Sequence, residues 1–116
     1  MLNEPRVLVG EEGGRLRIDL RGEVDMVAQP LLDEAYDKIA GVEPGDVLVD
    51  LTQVTFLASN GLGFLARVQT HIAAAGHTVT LQGPDRSVQR VLQLMGFEKL
   101  FTISEAPTIN ALPPSV

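Results

Sequence analysis

The sequence predicts an α/β fold built on a mixed β-sheet, parallel except for an N-terminal hairpin strand, with about four helices. Three observations carry this. Arg15-Leu16-Arg17-Ile18-Asp19-Leu20-Arg21 alternates strictly, the mark of a half-exposed antiparallel strand. Val47-Leu48-Val49-Asp50-Leu51 is nearly continuously apolar, as in a strand covered on both faces. The later strands are separated by single segments with helical apolar spacing, which favours right-handed crossovers and parallel pairing.

The elements follow in order. Arg6 to Gly10 is a short apolar strand, and Glu11-Glu12-Gly13-Gly14 a turn into the alternating strand, since glycine takes positive φ freely. Leu16, Ile18 and Leu20 face inward. Gly22-Glu23-Val24-Asp25 leaves that strand, with Asp25 placed to cap a helix whose first turn holds Pro30. Leu31, Leu32, Ala35 and Ile39 form its buried face; Gly41 stops it, and Pro44-Gly45 turns into the strand Asp46 to Leu51. Val54-Thr55-Phe56-Leu57 stays extended, and Ser59 or Asn60 offers a capping oxygen to a second helix, Asn60 to Ala75. Leu62, Leu65, Val68 and Ile72 are its core face. His77 to Gln82 alternates again. A third helix opens at Pro84-Asp85-Arg86-Ser87, keeps Val88, Val91, Leu92 and Met95 at the 3-4 spacing, and stops at Gly96. Lys99 to Ser104 is a last strand, and a final helical turn from Ser104 or Glu105 runs through Ile109 and Leu112. Residues 1–112 are expected to form a single domain and 113–116 a short flexible tail.

Composition excludes several functions. Nine basic against fifteen acidic side chains give a net charge of −6, which repels phosphate backbones. With no Trp and few aromatics, stacking platforms for single-stranded nucleic acid are absent as well. Without cysteine there is no disulfide, thiol chemistry or thiolate metal site. Neither a secretion signal nor an apolar run of ~20 residues appears, so the expectation is a cytoplasmic chain with no membrane span.

No catalytic constellation emerges, and the chain is read as no enzyme. Ser59 lacks a base: His71 lies three turns down the same helix, about 18 Å away at ~1.5 Å per residue, and His77 starts a strand at the wrong end. Both histidines read as solvated surface residues. No cofactor and no metal are expected. Gly61-Leu62-Gly63-Phe64-Leu65-Ala66 matches the dinucleotide fingerprint by letter, yet an extended segment separates it from its strand. A phosphoaspartate receiver centred on Asp50 is the more serious rival, with Glu11-Glu12 and Lys99 near the required places. It needs a helix where residues 15–21 alternate, so Glu11-Glu12 becomes a hairpin tip remote from Asp50. Asp50 then reads as a strand-end carboxylate bonded to nearby backbone.

Four stretches resemble the STAS domain of bacterial anti-sigma-factor antagonists: Gly22-Glu23-Val24-Asp25; Val49-Asp50-Leu51 with Val54-Thr55-Phe56-Leu57; Ser59-Asn60-Gly61-Leu62-Gly63; and Val88 through Phe97. Together they cover nearly the whole chain. The resemblance implies a partner-switching protein that binds an anti-sigma factor with a serine-kinase-type ATP-binding fold and so frees a sigma factor. In the family that kinase phosphorylates a serine at the start of the second helix, and a phosphatase resets the switch. A phosphoserine there adds roughly −1.5 to −2 charges at a site of backbone donors.

Two positions depart from the family pattern. Its Asp is Ala58 here, and Asn60 occupies the phosphoacceptor position. Ser59 one residue earlier is the remaining candidate acceptor; alternatively, control comes from elsewhere, or Asn60 imitates the unmodified state. Loss of the usual switch is the preferred reading. The resemblance also implies that the Asp25 loop lies beside this turn. The expected docking patch comprises Asp25, Ala58, Ser59, Asn60, Gly61, Leu62, Phe64 and Arg67. Phe64 and Arg67 fall off the core face of the helical wheel, which makes Phe64 either an interface anchor or a residue tucked against a neighbouring helix. A second use of the same fold is as a regulatory subunit of a transport complex.

Overall fold

The computed structural model describes residues 3–105. The strands β1 (Arg6–Glu12) and β2 (Arg15–Val24) form an antiparallel hairpin. Its two-residue turn is Gly13-Gly14, with φ of 61° and 83°, the doubly left-handed geometry that matches strand twist. α1 (Gln29–Ala40) then crosses to β3 (Val47–Leu57), α2 (Ser59–Ala74) to β4 (Val79–Gln82), and α3 (Arg86–Leu94) to β5 (Thr102–Ser104). The sheet order is β1-β2-β3-β4-β5, parallel from β2 onward. This is the mixed sheet the alternation and the apolar run predicted.

Among the described residues there are three α-helices, joined by the single 3-10 turns Met26–Ala28 and Phe97–Lys99. The expected fourth helix and the tail fall mostly outside those residues; at its start, Ser104 ends β5 and Glu105 is irregular. The last strand is shorter than expected because Phe97–Lys99 coils to bury Phe97 beside Phe101, ring centroids 5.3 Å apart.

One face of the sheet carries Ile18, Leu20, Val47, Val49 and Leu51, all buried in a core completed by Leu32 and Ile39 of α1, Leu65, Val68 and Ile72 of α2, and Val88 and Leu92 of α3. α1 lies over β1 and against α2, which packs on β3 and β4. On the opposite face of β2 and β3, Arg17 donates to Glu12 (2.8 Å), Asp19 (3.0 Å) and Asp50 (2.5 Å).

β3 is longer than the predicted strand and runs through the segment expected to be a separate approach. Its pairing with β2 shifts register twice, between Asp19 and Arg21 and between Gly22 and Glu23. Each shift inserts one extra β3 residue and exchanges the faces of those that follow. Buried positions therefore run Leu51, Val54, Leu57, in steps of three rather than two.

Candidate functional site

At the C-terminal ends of the parallel strands, Val24 of β2 lies opposite Leu57 of β3. Asp25 follows β2, and its Oδ1 accepts from the Val27 N–H at 3.0 Å, capping the 3-10 turn that leads into α1. Pro30 sits in the first turn of α1 as expected. Ala58 follows β3 in extended conformation: its N–H donates to the Val24 carbonyl (2.9 Å), and its own carbonyl accepts from Gly61 and Leu62. The two chain ends are thus stitched together immediately before α2 begins.

The helix N-cap is Ala58, and no side chain caps it. The expected cap by Ser59 or Asn60 is not made. Asn60 turns instead toward the neighbouring loop, where its Nδ2 donates to the Asp25 carbonyl (2.9 Å) and to Gln29 Oε1 (3.0 Å). Its Oδ1 is shielded from solvent and unpaired among the described residues. An uncapped first turn leaves backbone N–H groups at the positive end of the helix dipole, with the exposed Ser59 on its rim.

The residues expected to form a docking patch separate into two groups. Asp25, Ala58, Ser59 and Asn60 come together at or near the surface, and Arg67 is exposed two turns further along α2. Gly61, Leu62 and Phe64 are buried. A Cβ on Gly61 would stand 2.5 Å from Leu57 Cδ1 and 3.0 Å from Val24 Cγ1, so the bare glycine lets α2 close onto the strand ends. Phe64, at 4% exposure, is a core residue and no interface anchor. The helical wheel assumed a core on the sheet side alone, whereas α1 also packs against α2 and widens its buried face. The exposed stripe of α2 is Ser59, Gly63, Arg67 and Thr70. Arg67 is tethered within it: its guanidinium lies 3.9 Å from the Tyr36 ring centroid and 3.8 Å from Asp33, a cation–π contact between helices.

Sequence reasoning passed over the most exposed apolar side chains at this end. Met26 and Val27 are 68% and 75% exposed, on the turn that Asn60 holds, and Phe56 is 53% exposed at the end of β3. Met26-Val27 reads in sequence as an apolar lead-in to a helix, and only the adjacent Ala28 is buried. Phe56 reads as a strand residue of unknown face until the register shifts are seen.

Asp50 does bond to nearby backbone, accepting from the Thr52 N–H (2.9 Å) and hydroxyl (2.7 Å). It lies within β3 rather than at its end. Glu12 is also closer to it than a hairpin tip suggested, because Arg17 bridges the two carboxylates. The histidines are less free than expected. His77 Nδ1 lies 3.4 Å from Asp46, and His71 is half-buried with its ring edge-on to Tyr36. No helix among the described residues is long and apolar enough to cross a membrane.

Comparison with known proteins agrees with this architecture. The family model described as "Mlab, STAS domain" matches residues 7–103. A STAS-domain containing protein of Pseudomonas aeruginosa (strain UCBPP-PA14) is 31% identical over 84% of this chain and 95% of its own length. The anti-sigma-F factor antagonist RsfB of Mycobacterium tuberculosis is 30% identical over 84% of this chain and 79% of its own. The crystal structure of an anti-sigma factor antagonist from Mycobacterium paratuberculosis superposes with a TM-score of 0.73 at 30% identity, covering 92% of this chain and 89% of that one. SpoIIAA in its unphosphorylated form shares the fold at a TM-score of 0.75 and 18% identity, covering 95% and 96%.

Proposed function

The chain belongs to the STAS-domain family, and from that premise we propose that it is an anti-sigma-factor antagonist. It docks an anti-sigma factor with a serine-kinase-type ATP-binding fold and thereby frees a sigma factor. Its activity is binding, with no catalytic step of its own. The observation that carries the reading is the apolar turn Met26-Val27, exposed yet held beside Ser59 by the amide of Asn60. Large apolar side chains with a polar rim are what a protein partner desolvates most favourably. The proposed contact surface is Asp25, Met26, Val27, Ser59 and the α2 stripe through Arg67.

The usual phospho-switch is lost. Asn60 cannot be phosphorylated, and its amide is committed to two inward hydrogen bonds that keep the loop in one arrangement. Ser59 is exposed, and we read it as part of the contact surface rather than as the acceptor. The protein is then a constitutive antagonist, regulated by abundance or by another partner.

Isothermal titration of the full chain with the anti-sigma factor tests both parts. We expect binding that Val27→Asp weakens at least tenfold, by desolvating a charge at the contact, with an unchanged melting temperature. Incubation with that kinase and ATP should leave the protein unphosphorylated by intact mass. Stoichiometric phosphate on Ser59 overturns the constitutive reading. Binding to a transport-complex subunit, with none to any anti-sigma factor, replaces the whole proposal by the transport alternative.

A further inference from the structure

The free edge of the sheet points to a partner of a different kind. β1 is an edge strand, and among the described residues no loop or turn bonds to its outer backbone groups. The two-residue Gly13-Gly14 turn makes Glu12 and Arg15 a hydrogen-bonded pair, so Gly10–Arg17, Leu8–Asp19 and Arg6–Arg21 are bonded pairs in turn. The N–H and C=O groups of Val7, Val9 and Glu11 therefore point outward. Edge strands are commonly blunted by a central lysine, proline or bulge. None interrupts Val7-Leu8-Val9-Gly10, where the register with β2 is continuous.

We infer that this edge is a self-association surface: two copies of the chain pair antiparallel through β1, with the two-fold axis at Val9, into one continuous sheet. Three features favour this register. It bonds Val9 to the second copy's Val9 and Val7 to the second copy's Glu11, satisfying every outward group of the segment. It sets Arg6 directly opposite the second copy's Glu12, so each end of the pairing closes with an opposite-charge contact. It also lays Leu8, 40% exposed, across from the second copy's Gly10, where nothing lies within 4 Å of a Cβ position. A large apolar side chain thus meets a bare position on the same face. Sliding one strand by two residues brings Glu12 opposite Leu8 or Glu4 and sets Arg6 opposite Gly14 or Gly10, so the charge pairs are lost.

The interaction is read from the full chain by sedimentation velocity across about 5 to 500 µM, since dimerisation follows mass action. We expect a concentration-dependent dimer. Val9→Pro removes an outward N–H but none bonded to β2, and should weaken the dimer at least tenfold while leaving the circular dichroism spectrum intact. Arg6→Glu should weaken it too, and the double variant Arg6→Glu/Glu12→Arg should recover part of the loss relative to either single change. Hydrogen exchange of the unmodified protein gives a readout independent of any variant: the Val7, Val9 and Glu11 amides should be slowed at high concentration. A monomer throughout, equal exchange at both concentrations, or a dimer indifferent to Val9→Pro overturns the inference.

Discussion

Asn60 joins two loops by one side-chain amide, and its substitutions separate its bonding from its shape. Asn60→Ala removes donors to Asp25 and Gln29, and should cost about 1–2 kcal/mol in urea denaturation. Asn60→Asp places a carboxylate against those two acceptor oxygens. It should destabilise more than alanine at neutral pH, although a helix start ordinarily favours negative charge. Phe64 belongs to the same scale. Phe64→Ala should cost about 3–5 kcal/mol by opening a core cavity, measured by the same denaturation. Residue identity was legible here, whereas direction was not. The sequence marks Asn60 as an exception at a helix start, but its bonding partner lies in a loop far away along the chain.

Among elements, the hairpin and the three crossover units were readable, because alternation and helical spacing are local signals. The extent of β3 was not. Its register shifts are set by pairing with β2, and no residue in Thr52–Phe56 announces them. The other end of β3 offers a test in pH. Asp46 accepts from the Thr78 N–H (3.0 Å) and hydroxyl and lies beside His77, and the Thr78 backbone bond foremost holds its carboxyl below the usual range. The folded chain thus binds this proton more weakly than the unfolded chain. The resulting stability is complete above the unfolded carboxylate value and drains away as pH falls through the lower folded one. Asp46→Asn should flatten that portion of the acid limb in denaturation series run from neutral to acid pH.

For the whole molecule, the two faces of the sheet obey different rules. One is buried under α1 and α2; the other, at β2 and β3, is organised by Arg17 among Glu12, Asp19 and Asp50. Arg17→Met should leave three carboxylates facing one another and cost about 1–2 kcal/mol, discounted for partial exposure, with the loss shrinking in concentrated salt as repulsion is screened. The composition recorded the acidic excess, whereas only the assembled strands show one arginine bridging those acids. The stepwise path of β3 also governs the direction in which α2 leaves the sheet. Deleting Thr55 alone would remove the second bulge, leaving Phe56 opposite the exposed Glu23 and Leu57 opposite the buried Val24 in plain alternation. The orientation of the candidate docking loop is therefore encoded partly as a residue count: a mutation that removes one unremarkable threonine should straighten the strand end and re-aim the surface while leaving each of its side chains present.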